Sequence, residues 1–201
     1  MPLAIRTSIV LMCCSLVLSL TSCTANPGFR GEWVDLLSTD LLPKWHAAVG
    51  YEEQRAWTMA EGEYYGYGSI VCYQEPYTDF ELQAEFLFDG RGEGGIQIRG
   101  NQTAIRSWEL GYELDIDVVG DDSGRGHIHF PVNPKPYGGD AQFVLGRWQQ
   151  IHVEATGPRV TVRLHGTEVL TFEDGGFLTG QICLQGEKDG VRYRNLRVKR
   201  L

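Results

Sequence analysis

The feature that most constrains this chain is a two-residue alternation of apolar and polar side chains that recurs in many short segments. The clearest example runs from Asp79 to Phe88, where every second residue is apolar. Side chains of a strand point alternately to its two faces, so this spacing predicts strands with one face in a core. The same pattern occurs over residues 95–99, 112–118, 150–155, 160–164, 168–172, 182–185 and 193–201. No run of ten or more residues shows a helical period, and we therefore predict an all-β sandwich or jelly roll of antiparallel strands.

Glycine and proline mark the connections between these segments. The chain contains 25 glycines and 8 prolines, a content that suits tight turns. Gly157-Pro158 and His165-Gly166 are predicted turns, and the Pro/Gly-rich stretch from Pro131 to Asp140 is predicted to be a loop. A length of 201 residues favours one domain over two.

The first residues differ in character from the rest. Arg6 precedes a nearly all-apolar stretch over residues 7–20, which is shorter than the roughly 20 residues of a membrane span. Leu20-Thr21-Ser22-Cys23 resembles the lipobox of bacterial lipoproteins. We expect a signal peptide over 1–22, a lipidated tether over 23–30 with the lipid on Cys23, and one domain over 31–201. The protein would then be exported and anchored to a bacterial membrane; the alternative is an ordinary signal peptide with an incidental cysteine.

The net charge of the chain excludes one class of partner, and its cysteines allow one disulfide. The formal net charge is −8 and the pI is about 5.1, so the chain repels phosphate backbones and we expect no nucleic-acid partner. Cys72 and Cys183 are the cysteines that remain beyond the lipobox. Export permits a disulfide between them, and two separate buried thiols are the alternative.

One predicted strand carries a run of carboxylates. Glu113, Asp115 and Asp117 alternate with apolar residues and should share one face. Gln97 and Arg99 stand in the same relation to their apolar neighbours, so we expect them to lie across from the acids on one concave surface. Crowded carboxylates raise the pKa of at least one of them, which suits a general acid or base. The alternative is a solvated polar face of an ordinary strand.

Other residues are weaker candidates. His127 and His129 alternate in the same way and could bind a metal or move a proton, although isolated histidines are often plain surface or packing residues. Trp108 precedes the acidic strand and could stack on the ring of a ligand, and a core or rim position is the alternative. Lys135 and Tyr137 lie in the predicted loop, which could overhang the same surface.

Several segments in a fixed order resemble one bacterial family. They are Trp33–Leu37 with Leu42–Trp45, Asp79–Phe86, Gly94–Arg99, Gly111–Ile116, Trp148–Ile151, and Leu184–Gln185 with Tyr193–Lys199. Together they are similar to the 3-keto-glycoside 1,2-lyase/3-keto-2-hydroxyglucal hydratase domain, also described as a 3-keto-disaccharide hydrolase domain. The resemblance spans residues 31–201 and implies a concanavalin A-like jelly roll that acts on a sugar or keto-sugar.

The activity implied by this resemblance is net hydrolysis through proton abstraction at C2 and loss of the C1 substituent. In that reaction Glu113 or Asp115 would be the base or a metal ligand, Arg99 or a bound divalent metal ion would stabilise the enolate, and His127 or His129 would shuttle protons. The resemblance implies no cofactor with certainty, and a divalent metal ion is the one candidate. The candidates for substrate binding are Gln97, Asp117, Trp108, Lys135, Tyr137 and Gln185.

The chain also departs from the family pattern. Glu187 stands where the family has a histidine, Gln149 replaces an asparagine after Trp148, and residues 124–129 replace a further family segment. Two alternatives therefore stay open. One is a non-catalytic carbohydrate-binding lipoprotein, and the other is a jelly-roll hydrolase that cleaves glycans directly, with Glu113, Asp115 and Asp117 as its acidic strand.

Overall fold

The computed structural model describes residues 31–50, 57–90, 92–101, 111–118, 125–132, 135–188 and 190–201. The predicted signal peptide, Cys23, the tether before residue 31 and Trp108 lie outside these residues. Within the described ranges the one helical piece is the 3₁₀ turn Leu42–Lys44, and no helix is long and apolar enough to cross a membrane. The strands are β1 (Trp33–Asp35), β2 (Trp45–Ala47), β3 (Thr58–Ala60), β4 (Glu63–Gly66), β5 (Ser69–Tyr73), β6 (Phe80–Leu87), β7 (Gly92–Gly100), β8 (Tyr112–Asp117), β9 (Arg125–Val132), β10 (Lys135–Val144), β11 (Gln149–Thr156), β12 (Arg159–Leu164), β13 (Thr167–Glu173), β14 (Gln181–Lys188) and β15 (Val191–Arg200).

These strands form two antiparallel sheets. Sheet A has the order β13-β12-β11-β6-β15-β4-β3, with β1 added beside β15. Sheet B has the order β10-β9-β8-β7-β14-β5-β2. Many neighbours in the sheets are distant in sequence, such as β6 between β11 and β15, so the chain crosses repeatedly between the two layers, as it does in jelly rolls.

The core lies between the two sheets and follows the alternation in the sequence. Along β6 the buried residues alternate with partly buried ones, and Leu82 and Phe86 are fully buried. They belong to one cluster with Ile96 of β7 and Leu114 of β8 from the opposite sheet. Burial of each such side chain contributes about 1.5–3 kcal/mol. The antiparallel sandwich predicted from the sequence is thereby confirmed.

The predicted loop over Pro131 to Asp140 is wrong for most of its length. Pro131 lies in β9, and residues from Lys135 onwards belong to β10, which pairs with β9. Pro136 is tolerated because β10 is an edge strand, where a missing N–H can face away from the ladder. Pro131 lies beyond the residues of β9 that pair with β8. The register shifts between Pro136 and Asp140, which is the irregularity expected of a Pro/Gly-rich edge.

A small second cluster lies on the outer face of sheet B. It comprises Ala48, Ile70, Cys72 and Cys183, and the two cysteines form a disulfide. They stand directly opposite each other on β5 and β14. The disulfide alternative is therefore the one the structure shows. The bond closes a loop with a sequence separation of 111 residues, which restricts the unfolded chain and favours the folded state.

Candidate functional site

Strand β8 brings the three predicted carboxylates to one face. Tyr112, Leu114 and Ile116 are fully buried in the core. The residues between them, Glu113, Asp115 and Asp117, are partly buried and face away from the core on sheet B. The local reason is the strict alternation of apolar and acidic residues. A shift of the strand register by one residue would bury the three acids and expose the three apolar side chains.

The neighbouring strands add polar residues to the same face. In the β7–β8 register Glu93 lies opposite Asp117, Gly95 opposite Asp115, and Gln97 opposite Glu113. In the β7–β14 register Glu187 lies opposite Glu93, and Gln185 opposite Gly95. We call this surface the acidic face and define it by Glu93, Gln97, Glu113, Asp115, Asp117, Gln185 and Glu187.

Glu93 and Glu187 were not among the residues predicted for the site. Their signal was present in the sequence, since Glu93 continues the every-second-residue set of Gly95 and Gln97, and Glu187 continues that of Gln185. Only the register between β7 and β14 brings the two glutamates together. The pairing of strands that are far apart in sequence could not be read from either segment alone.

Glu113 is the residue at the centre of this surface with the most perturbed acidity. Its side chain lies over Gly95, where an added Cβ would be 3.2 Å from Glu113 Oε1. Gln97 Nε2 donates a hydrogen bond to that oxygen at 3.4 Å. Burial and, second, the negative charge of Asp115 raise the pKa of Glu113 to about 7, against the opposing effect of the Gln97 hydrogen bond. A carboxyl with this pKa exchanges protons readily at neutral pH.

Two buried amide oxygens border the carboxylates. Gln97 is fully buried and Gln185 nearly so, and within the described chain their Oε1 atoms have no hydrogen-bond partner. One N–H of each amide is committed, because Gln97 Nε2 donates to Glu113 Oε1 and Gln185 Nε2 donates to Glu187 Oε1 at 2.9 Å. Buried acceptors without donors are rare, and an ordered water is their usual partner.

The floor of the acidic face is held from beneath by Tyr193 of sheet A. This tyrosine is fully buried, and its hydroxyl lies 3.0 Å from Gly95 O and 3.1 Å from Gln185 O. Burial raises the pKa of Tyr193 far above its usual value, so the hydroxyl remains a hydrogen-bond donor. It fixes the backbone of β7 and β14 directly below Glu113 and Gln185.

Arg99 does not lie where we expected it, and this expectation is wrong. Its backbone has a φ of 53°, which breaks the alternation of β7 after Ile98. The guanidinium is fully buried and donates to Thr78 O at 2.8 Å and to Phe177 O at 3.0 Å. Its ion-pair partner is Asp79, whose Oδ1 lies 3.7 Å from Arg99 Nη2. Arg99 therefore ties segments of the scaffold together rather than facing the carboxylates.

The two predicted proton carriers, His127 and His129, both lie on strand β9. His129 lies opposite Asp115 and His127 opposite Asp117 in the β8–β9 register. Asp140 and Gln142 of β10 follow on the far side of these two positions. Both histidines thus occupy register positions next to the acids, and their catalytic roles stay predictions. Lys135 and Tyr137 belong to the edge strand β10 rather than to an overhanging loop.

The metal hypothesis rests on the chemistry of the donors. Among the described residues no group of three or more His, Cys, Asp or Glu side chains is arranged to hold a metal ion. Carboxylate and amide oxygens of the acidic face are nevertheless the hard ligands that Mg²⁺, Ca²⁺ and Mn²⁺ prefer. Glu113, Glu187 and the oxygens of Gln97 and Gln185 are the groups that could contribute to such an ion.

Comparison with known proteins identifies the domain. A family model described as the 3-keto-alpha-glucoside-1,2-lyase-like domain matches residues 32–199. No curated protein matches the chain. Similar solved structures share the fold at low identity, and three of them illustrate the range.

The first is a protein from Parabacteroides distasonis described as a glycosyl hydrolase, with a TM-score of 0.67 and 17% identity over 84% of this chain and 94% of that one. The second is the carbohydrate-binding module CBM66 from Bacillus subtilis, with a TM-score of 0.55 and 17% identity over 78% of this chain and 95% of that one. The third is a prokaryotic β-1,3-1,4-glucanase (lichenase) from a mouse hindgut metagenome, with a TM-score of 0.57 and 11% identity over 86% of this chain and 99% of that one. These likenesses establish the jelly-roll fold.

Proposed function

Because the chain belongs to the 3-keto-alpha-glucoside-1,2-lyase-like domain family, which supports a function on carbohydrates, we propose that it is a lyase and hydratase of 3-keto-glycosides. The observation that carries the proposal is Glu113, a partly buried carboxyl with a pKa of about 7 beside two unpartnered amide oxygens. A base that is half ionised at neutral pH suits the first step of this chemistry.

The reaction begins at the carbon next to a ketone. A carbonyl at C3 of the sugar acidifies the hydrogen on C2, and Glu113 takes that proton while the electron pair forms the enolate. The enolate collapses to a C1–C2 double bond as the C1–O bond breaks, and the leaving oxygen takes up a proton. Water then adds across the double bond, with its hydroxyl on C1 and a proton on C2. The sum of the two steps is hydrolysis of the glycosidic bond.

The remaining residues of the acidic face position the sugar. Gln97 and Gln185 line the sugar site and orient the carboxyls of Glu113 and Glu187 through the hydrogen bonds that they donate. Asp115 keeps the pKa of Glu113 high through its charge. Tyr193 holds the strands beneath, so the acceptors keep fixed positions during the reaction.

The enolate also needs positive charge or hydrogen-bond donors. Arg99 cannot supply them from its place under Thr78 and Phe177. We propose that His129 and His127, whose backbone positions flank Asp115 and Asp117, carry protons to and from the reacting oxygens. A divalent cation bound by carboxylate and amide oxygens would supply further positive charge.

A non-catalytic sugar-binding protein is the second candidate. The observation in its favour is Glu187, which stands where the family resemblance places a histidine and which already accepts a hydrogen bond from Gln185. The replacement removes a proton carrier and adds negative charge. Such a protein would bind glycan on the same acidic face without turnover.

One set of substrates separates the candidates. Purified protein is incubated with 3-keto-trehalose, trehalose and a β-glucan, each with and without a chelator. Product from the keto sugar alone supports the proposal, product from the β-glucan indicates direct hydrolysis, and binding without product indicates the non-catalytic alternative. Loss of turnover with chelator, restored by added Mg²⁺ or Mn²⁺, supports the cation.

The residue assignment is tested by Glu113→Gln. We expect turnover to fall by at least about 100-fold, the usual contribution of a general base, with folding intact. The matched control is Glu168→Gln, an exposed glutamate on sheet A whose side chain is 55% accessible. A fully active Glu113→Gln variant contradicts the assignment.

A further inference from the structure

A groove lies on the side of the molecule opposite the acidic face, on the outer face of sheet A. Its volume is about 450 Å³, within the roughly 300–1,000 Å³ usual for small-molecule sites. We call it the sheet A groove. The residues that define it are Trp33, Asp35, Gln83, Glu85, Asn195 and Arg197.

The groove has a structural origin in β15. The register of β15 against β6 shifts between Arg194 and Arg197, and Asn195 at this bulge has a φ of 51°. Strand β4 pairs with β15 before the bulge and β1 pairs with it after the bulge. The bulge places Asn195 between two register pairs, Arg194 with Glu85 and Arg197 with Gln83, and β1 brings Trp33 and Asp35 to the same groove. Bulges that re-aim side chains are a recurrent feature of binding sites.

The charged groups in and around the groove are of both signs and lie close together. Arg197 donates to Gln83 Oε1 from Nε at 2.9 Å and from Nη2 at 2.6 Å. Arg194 donates to Glu85 Oε2 at 2.6 Å. Asp35, whose register partner is Arg197, accepts from the Leu37 N–H at 3.0 Å. Glu85 is paired with Arg194, and the carboxylate of Asp35 shares a register position with the cation of Arg197. The groove therefore presents no surface of a single charge sign.

Hydrogen-bonding capacity nevertheless remains. The oxygen of Gln83 is taken by Arg197, and within the described chain its two N–H groups have no acceptor. Asn195 is exposed, and its amide makes no side-chain hydrogen bond among the described residues. Planar amides that offer both donors and acceptors match the hydroxyls of a sugar. Asp35 and Glu85 add acceptor oxygens on either side.

An apolar surface completes the set. Trp33 is partly buried on β1. The Arg197 guanidinium and the Lys199 ammonium lie 5.1 and 5.2 Å from its ring centroid and leave the rest of the indole to a ligand. An indole presents the apolar surface that the C–H groups of a pyranose ring pack against. A tryptophan beside amides and charges of both signs therefore favours a neutral polyol over a phosphate.

We propose that the sheet A groove is a non-catalytic binding site for neutral oligosaccharides. It lies across the sandwich from the acidic face, so it would hold a glycan without occupying the site of turnover. The proposal rests on the groove itself and stands whether or not the acidic face is catalytic.

The test measures binding of β-1,4- and β-1,3-linked glucopentaose and maltopentaose by titration calorimetry and affinity electrophoresis. Trp33→Ala removes the ring, and Asn195→Gly removes the amide while glycine keeps the left-handed backbone without strain. We expect each variant to bind at least one of these neutral sugars about tenfold more weakly, equivalent to about 1.4 kcal/mol. Turnover of a small 3-keto-glycoside should be unchanged in both variants.

The controls locate the site and the class of ligand. Gln97→Ala alters the acidic face, and Glu168→Gln alters an exposed position elsewhere on sheet A; neither should change this binding. Loss of binding in Gln97→Ala with none in Trp33→Ala and Asn195→Gly would overturn the proposal, as would absence of binding to all three neutral sugars. Tighter binding of an oligouronate or a glucosamine oligomer than of the neutral probes would overturn the assigned ligand class.

Discussion

The side chain of Glu113 occupies the space that a side chain at Gly95 would need. A Cβ added to Gly95 would lie 3.2 Å from Glu113 Oε1 and 3.1 Å from the Leu114 carbonyl oxygen. Gly95 has no left-handed backbone that would by itself demand glycine. The glycine is therefore explained by the room it leaves for the carboxyl across the strand pair.

Gly95→Ala should accordingly displace Glu113 and lower activity. The Leu114 carbonyl belongs to the backbone and cannot move far, so the flexible carboxyl gives way. We expect kcat/KM on a 3-keto-glycoside to fall at least about tenfold, with an overpacking cost of about 1–3 kcal/mol. Gly175→Ala is the matched control, since an added Cβ there meets nothing within 4 Å. Equal activity of the two variants would show that Glu113 needs no such space.

The rate of turnover should depend on pH through Glu113. Its pKa is raised to about 7 by burial and by Asp115, and the base is active only as the carboxylate. We expect kcat/KM to rise about tenfold per pH unit below 7 and to level off above it. The measurement is a pH–rate profile from pH 5 to 9. A profile that is flat over this range, or that inflects near 4.5, would exclude Glu113 as the base.

The same carboxyl should make the fold less stable at alkaline pH. The folded protein holds the Glu113 proton more tightly than the unfolded chain does, because the folded pKa of about 7 exceeds the ordinary 4.5. The resulting stabilisation is complete below pH 4.5 and is lost as the pH rises through 7. It amounts to at most about 3 kcal/mol, less to the extent that solvent screens the partly exposed group.

Glu113→Gln removes this dependence, so its stability relative to wild type should increase between pH 5 and pH 8. Urea unfolding at the two pH values measures the difference, with Glu168→Gln as the control that should shift equally at both. A wild-type protein and a Glu113→Gln variant with parallel pH profiles would contradict the raised pKa.

Arg99 should matter for stability rather than for chemistry. Its buried guanidinium donates to two backbone carbonyls, Thr78 O and Phe177 O, and a lysine cannot satisfy both. We expect Arg99→Lys to lose about 2–4 kcal/mol on urea unfolding while the folded fraction keeps its KM and pH–rate profile. Arg159→Lys, at a position 60% accessible, should be nearly neutral. A stable but inactive Arg99→Lys variant would instead show that Arg99 takes part in the reaction.

The candidate site shows which inferences a linear pattern supports. The two-residue period correctly assigned Glu113, Asp115 and Asp117 to one outward face, because every second side chain of a strand points to the same face. It failed at Arg99, where a local left-handed backbone turned a side chain that the period would have placed outward. It was also silent on Glu93 and Glu187, whose meeting depends on a register between separated strands.

The sequence by itself determined that the chain forms an antiparallel sandwich, since alternation specifies strands and their buried faces locally. It also determined the family, through short segments kept in order. Only the tertiary structure decided that Cys72 faces Cys183, that Gln97 and Gln185 leave two buried oxygens unpaired, and that a bulge in β15 opens a groove on the far sheet. The physical reason is that strand register and burial are properties of contacts between distant segments, and those contacts form only when the whole sandwich closes around its core.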